Sequence, residues 1–427
     1  MKTVQATVQQ NLCTGCGVCR SICPKQCISW RLDGGMYLPE IDASACICCG
    51  LCAGVCPGLG HRYESKTTAE ETVTGPVLEC FNAWSRNPRL RHVSASGGVV
   101  STLICQLLQK GHYSGAFCLD SYDYRSQLKT RLYTPADFEQ PEETAAPKSR
   151  YLPVSHENAL AYMKENRTAR LILVGTPCAF RGLQAAMEKL KLNRENYLFI
   201  GLICDKIFNY NVLPYFRDTY ASGREAEALH FKNKESGGWP GDMKFFPKEG
   251  DPFFIPLAER GKAKDYFSLE RCMYCVDKLN LLSDISLGDN YTGRDTSSLG
   301  SNSVIIRTQR GMDAWAAAVD QLEYASISVA DIQKAQDLPW RLNNLCYGDL
   351  KARNNPGMDL NTGVPRNQQA LDFERTWIRS FKKLRCGACY DSAPEKLRQL
   401  QQQESRKPNP LLQFIKRVYY YIRRKIR

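Results

Sequence analysis

Apolar positions along this chain follow two different periods. From Val99 to Leu108 they recur in the helical pattern, behind Ser96-Gly97-Gly98 and ahead of Gly111, which predicts a helix entered through a glycine turn and closed by a glycine cap. Leu171-Ile-Leu-Val174 and Tyr197 to Ile203 are short unbroken apolar runs, the pattern of buried strands. The first leads through Gly175-Thr176-Pro177-Cys178 into a helix-like stretch, Ala179 to Leu192, and the second ends at Cys204. Tyr113 to Leu119 reads as a further strand. Strands alternating with helices predict an α/β layer. No GxGxxG follows a first strand, so a dinucleotide fold is not expected. Ala228–Lys232, Met243–Phe246 and Ser303–Arg307 read as antiparallel strands, and the Pro- and Glu-rich residues 133–150 as a surface loop.

Changes in this pattern divide the chain. Residues 1–60 are cysteine-rich, with a strand-like Met36–Leu38 behind a Gly34-Gly35 turn. A polar linker is expected over 61–76, a main domain over 77–338 and a C-terminal extension over 339–427. In the last stretch, Leu411, Ile415, Val418, Ile422 and Ile426 fall on one helical face beside Lys and Arg. A basic amphipathic helix of this kind, residues 410–427, can make a peripheral contact with the inner face of a membrane. A helix docked on its own protein, or a frayed basic end, is the alternative.

Composition narrows the picture further. A chain that is 43% hydrophobic and 24% charged can bury a sizeable core. No apolar run approaches the roughly 18–20 residues that span a bilayer. Twenty cysteines without a signal-peptide pattern predict a reducing, cytoplasmic setting in which thiols bind metal. The net charge of +13 is mostly a property of residues 406–427, which carry eight Lys or Arg and no acid. Basic patches interleaved with aromatics are absent outside that tail, so a nucleic-acid partner is not expected.

The cysteine spacing carries the first chemistry. Cys13-Thr-Gly-Cys16-Gly-Val-Cys19-Arg-Ser-Ile-Cys23-Pro24 and Cys46-Ile-Cys-Cys49-Gly-Leu-Cys52-Ala-Gly-Val-Cys56-Pro57 both follow C-x2-C-x2-C-x3-C-P. In such a pair, three thiolates of each run hold one [4Fe–4S] cluster and the fourth ligates the other cluster. Cys13, Cys16, Cys19 and Cys56 are therefore assigned to one cluster, and Cys46, Cys49, Cys52 and Cys23 to a second. A disulfide framework or zinc ribbons would not require two full repeats with both prolines. A third site is suggested by Cys178 and Cys204, each just past a predicted buried strand, together with Cys272-Met-Tyr-Cys275. Loops after parallel strands converge at one sheet edge, where four thiolates suffice for another [4Fe–4S] cluster. Buried structural cysteines are the alternative.

Six ordered motifs then carry a family resemblance. They are Ser94-Ala-Ser96-Gly97-Gly98-Val, Gly175-Thr176-Pro177-Cys178, Ile200-Gly201-Leu202-Ile203-Cys204, Arg271-Cys272-Met-Tyr-Cys275, Leu282-Ser-Asp284-Ile-Ser-Leu-Gly288-Asp289 and Ser301-Asn-Ser303-Val-Ile-Ile-Arg307-Thr308. The stretch from about Val77 to Arg310 resembles the iron–sulfur flavoprotein family named for the beta subunit of deazaflavin (coenzyme F-420)-reducing hydrogenase. The resemblance implies FAD beside a [4Fe–4S] cluster held by Cys178, Cys204, Cys272 and Cys275. Ser96, Gly97 and Gly98 would present backbone N–H groups to a pyrophosphate or flavin edge, an ordinary helix cap being the alternative. Asp284, Gly288 and Asp289 would line the flavin or substrate face, or merely cap turns. Lys148-Ser149-Arg150-Tyr151 resembles a family Gly-Ser-Lys-Tyr element, with Arg150 where lysine is usual. Ala179 replaces a common glutamine. Phe231-Lys-Asn-Lys234 with Gly238-Trp239 resembles an element of the bacterial, polysaccharide-linked branch. Lys232 and Lys234 then face an anionic substrate or cofactor, or else are solvated strand lysines. The fold class expected is α+β or α/β: a ferredoxin-like 2[4Fe–4S] module, a mixed α/β flavin- and cluster-binding domain, and a helical C-terminal tail.

Eight cysteines remain: Cys27, Cys48, Cys80, Cys105, Cys118, Cys346, Cys386 and Cys389. Cys105 and Cys118 read as core. Cys386-Gly-Ala-Cys389 could bind a metal together with Cys346 but lacks a clear fourth ligand, and no metal is the favoured reading there. The function expected is a cytoplasmic oxidoreductase taking single electrons from reduced ferredoxin through the clusters to FAD, and a pair onward to a small organic substrate, with surface-polysaccharide synthesis as the setting. Deazaflavin as the electron donor is one alternative. The other is an electron-transfer subunit of a larger complex, with no substrate of its own.

Overall fold

The computed structural model describes residues 3–59, 69–120, 126–140, 149–295, 297–343 and 381–405. The basic tail, Lys148 and Cys346 lie outside the described residues. In the N-terminal module, β1 (Ile28–Asp33) and β2 (Met36–Ile41) form an antiparallel hairpin closed at Gly34-Gly35, between short helices at Val18–Ile22 and Leu51–Gly54.

The main domain is built on nine strands: β3 (Glu79–Ser85), β4 (Gly115–Leu119), β5 (Leu128–Tyr133), β6 (Val154–Ser155), β7 (Leu171–Gly175), β8 (Tyr197–Leu202), β12 (Ile285–Asp289), β13 (Asn302–Ile306) and β14 (Leu322–Ser326). They lie in the order β14-β3-β13-β12-β8-β7-β4-β5-β6. Between β8 and β12 the chain detours into a small antiparallel sheet of β9 (Ala226–Asn233), β10 (Asp242–Pro247) and β11 (Phe253–Ile255). The central strands β4, β7, β8 and β12 are parallel, and β13 runs antiparallel between β12 and β3. Consequently β3, β4, β7, β8 and β12 all end at the same edge. Ile172, Leu198, Ile200, Ile285 and Leu287 bury one face of the sheet against the helix Val99–Gln109, and Leu171, Leu173, Tyr197 and Phe199 bury the other against the helix Pro177–Leu190. Burial on both faces is what the unbroken apolar runs require.

The module packs directly on this domain. Cys16, Val18, Ile22 and Val55 share a buried cluster with Phe180, Leu183 and Met187. His156 N–H donates to Cys16 O at 2.8 Å, Ser21 Oγ to Glu157 O at 2.7 Å, and Trp30 Nε1 to Glu157 Oε2 at 2.9 Å. The expected linker is corrected over its second half. Ala69–Thr74 is a helix whose Val73 is fully buried, and Arg307 Nη1 donates to Thr74 O and Pro76 O. A polar helix with a single apolar anchor gives too weak a pattern to distinguish from linker. The C-terminal residues 381–405 fold back onto the domain through Phe381, Leu384, Tyr390 and Leu397. Among the described residues no helix is long and apolar enough to cross a membrane.

Candidate functional site

The structure gathers the thiols into three groups. Among the described residues, no group of three or more His, Cys, Asp or Glu stands close enough together for a single metal ion. In the inner group, Cys19 lies within electrostatic reach of Cys16, Cys56 and Cys13. Burial, reinforced by Cys56 and Cys178, pushes the Cys13 thiol up to about 12. Thr7 Oγ1 meets Cys56 Sγ at 3.2 Å. In the outer group, Cys23, Cys46, Cys49 and Cys52 surround one pocket, joined by Cys27 and Cys48.

The third group forms at the common strand edge. Thr176 caps the helix Pro177–Leu190, with Cys178 in its first turn. Cys204 follows β8, its N–H held by Lys278 O at 2.9 Å, and Cys272 sits on a short 3-10 helix with Cys275 directly after it. Burial, with Cys275 and Cys178 adding their charge, pushes the Cys272 thiol up to about 12. Cys178 also lies within electrostatic reach of Cys13 and Cys16, so the inner and core groups are neighbours.

Cations surround the core group. Arg341 is buried, donating from Nε to Cys275 O at 2.8 Å and from Nη1 to Asp205 O at 3.0 Å and Oδ1 at 3.1 Å. Asp205 is also reached by Lys264 at 3.1 Å and by Lys278 at 3.9 Å. Burial alone would raise the Asp205 carboxyl, but Lys264, Arg341 and Lys278 hold it far below the usual range. Burial pushes Lys278 down to about 8. Arg271 is buried between Cys178 and the inner group. Its Nη2 is 3.5 Å from Pro57 O, and Nε and Nη1 have no partner. A cluster held by four thiolates carries net negative charge and accepts N–H donors at its sulfurs, which suits both this surplus of positive charge and the orphaned guanidinium N–H groups.

Beside the core thiols the strand edge opens into a cavity of about 300 Å³. Cys16, Cys178 and Cys204 line one side of it, and Ser96, Gly98, Arg150 and Asp289 lie elsewhere on its wall. Among the polar atoms of its lining residues, Ser94 Oγ, Thr130 Oγ1 and His156 Nδ1 are buried without a partner. Burial holds the His156 imidazole down at about 4, so it is neutral and offers a hydrogen bond rather than a charge. A mainly apolar cavity with unpartnered polar atoms is suited to a planar ligand with a polar rim.

Most of the expected flavin residues gather here. Gly98 caps the helix Val99–Gln109 at φ +82°, a conformation that favours glycine. Gly97 does not line the cavity; a Cβ there would stand 2.7 Å from Ala83 O and 2.8 Å from Asn302 Oδ1, so its role is close packing. Ser96 lines the cavity, but its hydroxyl is used in donating to Ser301 O at 2.6 Å. Ser149, Arg150, Tyr151, Gly288 and Asp289 also line it. Asp284 is a correction. It enters β12 at the strand end opposite Gly288, about 13 Å away at a strand's rise, and is fully buried. There it accepts from Phe199 N at 2.7 Å, Thr308 Oγ1 at 2.8 Å, Arg194 Nη2 at 2.9 Å and Arg310 Nη1 at 3.0 Å.

The two strand lysines are not solvated. Lys232 is buried and paired with Asp289, which also accepts from Tyr291 OH at 3.1 Å. Lys234 donates to Arg91 O at 2.6 Å and Ser96 O at 2.7 Å, fastening the glycine turn. Cys386 is half-buried and Cys389 exposed. A Cβ at the intervening Gly387 would stand 1.8 Å from Tyr266 O, so the pair sits at the tightly packed end of a helix, Cys386 within it and Cys389 in the turn that follows. Sequence reasoning missed Thr130, His156 and Arg341, none of which carries a local signal. It quoted Arg271 without giving it a role, although adjacency to the CxxC was available.

Comparison with known proteins shows what the chain is similar to. The N-terminal part of the coenzyme F420 hydrogenase/dehydrogenase beta subunit matches residues 80–161 and its C-terminal part residues 168–331, together more than half of the chain. A 4Fe-4S binding domain matches residues 6–29. An uncharacterised protein of Methanocaldococcus jannaschii is 25% identical over 337 residues, covering 70% of this chain and 85% of the relative. The coenzyme F420 hydrogenase subunit beta of Methanosarcina barkeri is 21% identical over 278 residues, covering 63% of this chain and 88% of the relative. A chain of the F420-reducing [NiFe] hydrogenase complex from Methanosarcina barkeri superimposes with a TM-score of 0.46 at 20% identity, covering 62% of this chain and 88% of that one. With the two family halves in order behind a 4Fe-4S domain, the chain belongs to the coenzyme F420 hydrogenase/dehydrogenase beta-subunit family.

Proposed function

We propose that the chain is an iron–sulfur flavoprotein oxidoreductase of the cytoplasm. In this reading Cys46, Cys49, Cys52 and Cys23 hold an outer cluster, Cys13, Cys16, Cys19 and Cys56 an inner one, and Cys178, Cys204, Cys272 and Cys275 a core cluster. FAD supplies a store for two electrons that can be filled one at a time. The observation that carries the reading is the cavity, whose wall combines core thiols with the glycine turn at the start of Val99–Gln109. Ser96 and Gly98 would offer main-chain N–H groups to a pyrophosphate there. Thr130 and His156 would hydrogen-bond the polar rim of the ring, and Arg150 would face its anionic part. Lys232 holds Asp289 at the cavity wall as a paired carboxylate. Tyr291, half exposed and bonded to Asp289, would meet the small organic substrate at the mouth.

Reduced ferredoxin is the proposed donor, and a surface-polysaccharide precursor the proposed substrate class. A second reading is favoured by the relative that is a hydrogenase subunit: an electron-transfer subunit in a larger complex, with deazaflavin as its redox partner. Anaerobic purification with iron and flavin quantification tests the first reading. About 12 iron atoms and one flavin per chain are expected for three cubane clusters. About eight iron atoms would remove the core cluster, and full iron without flavin would leave the subunit reading. Reduction of the bound flavin by reduced ferredoxin, but not by reduced deazaflavin, then fixes the donor.

A further inference from the structure

The outer pocket holds more thiols than one cluster uses. Cys23, Cys27, Cys46, Cys48, Cys49 and Cys52 all line it, whereas a cubane takes four. Cys48 is exposed, at φ +53°. Cys27 is different. It is buried beside Cys23 and Cys52 in a cluster anchored by Val4 and Ile28, and its carbonyl is pinned by Asp42 N–H at 2.9 Å just before β1 begins. Its sulfur is 3.5 Å from Cys23 Sγ. Two thiolates sharing one tetrahedral metal at bonds of about 2.3 Å stand about 3.8 Å apart. Cys27 Sγ is therefore already at the separation from Cys23 that two ligands of the same metal atom would have. Cys46 is also within its electrostatic reach.

We propose that Cys27 is an exchange ligand of the outer cluster, able to bind the iron that Cys23 holds. The inference rests on the reading that this pocket contains a [4Fe–4S] cluster. In the exchange the Cys27 thiol loses its proton, its sulfur bonds the iron, the Cys23–iron bond breaks, and the released Cys23 thiolate takes the proton. No electron is gained or lost. The consequence is that the outermost cluster, the one reached first by a redox partner, survives damage to its Cys23 ligand.

The test uses the full chain, reconstituted anaerobically with iron and sulfide, as wild type, Cys27→Ala, Cys23→Ala and Cys23→Ala/Cys27→Ala. Iron content and the electron paramagnetic resonance of the reduced clusters are read together. Wild type and both single variants are expected to keep about 12 iron atoms, with a shifted outer-cluster signal in Cys23→Ala, and the double variant to lose about four. Persistence of the inner and core signals reports that each variant is folded. The proposal is overturned if Cys23→Ala loses as much iron as the double variant, if the double variant keeps its outer cluster, or if Cys27→Ala alone abolishes that cluster. A wild-type chain without an outer-cluster signal would remove the cluster reading itself, a different failure from the loss of exchange.

Discussion

At the outer pocket, Cys46, Cys49 and Cys52 leave a single loop, Cys49 is exposed, and the spare thiols Cys27 and Cys48 stand beside them. At the core pocket, Cys178, Cys204, Cys272 and Cys275 come from loops far apart in the chain, and buried Arg271, Arg341 and Lys278 surround them. The outer group is specified by covalent spacing and tolerates solvent. The core group exists only because β7 and β8 run parallel and place their carboxyl ends at one edge. The electrostatics differ too. Positive charge and N–H donors near a cluster raise its potential, so the proposed core cluster would sit higher than the outer one and draw electrons inward.

The most direct way to break this comparison is Cys204→Ala. Iron per chain is expected to fall from about 12 to about eight, with the outer and inner signals unchanged. Loss of all three signals would mean that the module depends on the core group for its own assembly. Arg341→Leu comes next. It strands Asp205, whose carboxylate is partly exposed and keeps Lys264, so destabilisation of about 2 kcal/mol is expected, read as a lower urea midpoint at full iron content. An unchanged midpoint would show that the bound cluster, rather than the guanidinium, organises this corner.

How much of this was legible follows the same divide. The ferredoxin-type groups could be read from spacing alone, because their ligands are close in sequence. Of the core thiols, Cys178 and Cys204 were marked by the buried strands that precede them, and Cys272 and Cys275 by their CxxC spacing alone. Asp284 was misread because a strand carries its two ends to opposite edges: Gly288 and Asp289 reach the cavity, whereas Asp284 at the other end neutralises Arg194 and Arg310. Arg341 and His156 could not be read, since only tertiary contact brings them to the site.

Arg271→Gln sharpens the comparison without dismantling it. Removing the charge and the unpartnered N–H groups between the inner and core thiols should lower the core cluster's midpoint potential while the outer cluster's stays fixed. Potentiometric titration followed by electron paramagnetic resonance measures both in one sample. Arg271→Lys, which keeps the charge but loses the fork, is expected to fall between. Equal potentials in all three proteins would show that Arg271 serves packing alone.

The smallest effect concerns the seam that joins the two regions. Glu157 is buried, accepts from Trp30 Nε1 at 2.9 Å, and pairs with Arg20 at 3.1 Å and Lys129 at 2.7 Å. Burial would raise its pKa, but the hydrogen bonds from Lys129 and Trp30 and the charges of Lys129 and Arg20 bring it below the usual carboxylate value. Glu157→Gln should cost about 1 kcal/mol, because both cationic partners are partly exposed and screened. A depressed carboxyl stabilises the folded state above its unfolded pKa, and that contribution fades as pH falls through the folded one. The gap in melting temperature between wild type and Glu157→Gln should therefore be constant from about pH 8 to 6 and narrow only below about 5. The inner and core resonance signals should keep their wild-type form in Glu157→Gln despite the lost stability. A pair that weakens docking without separating Cys16 from Cys178 leaves the distance between the two groups intact.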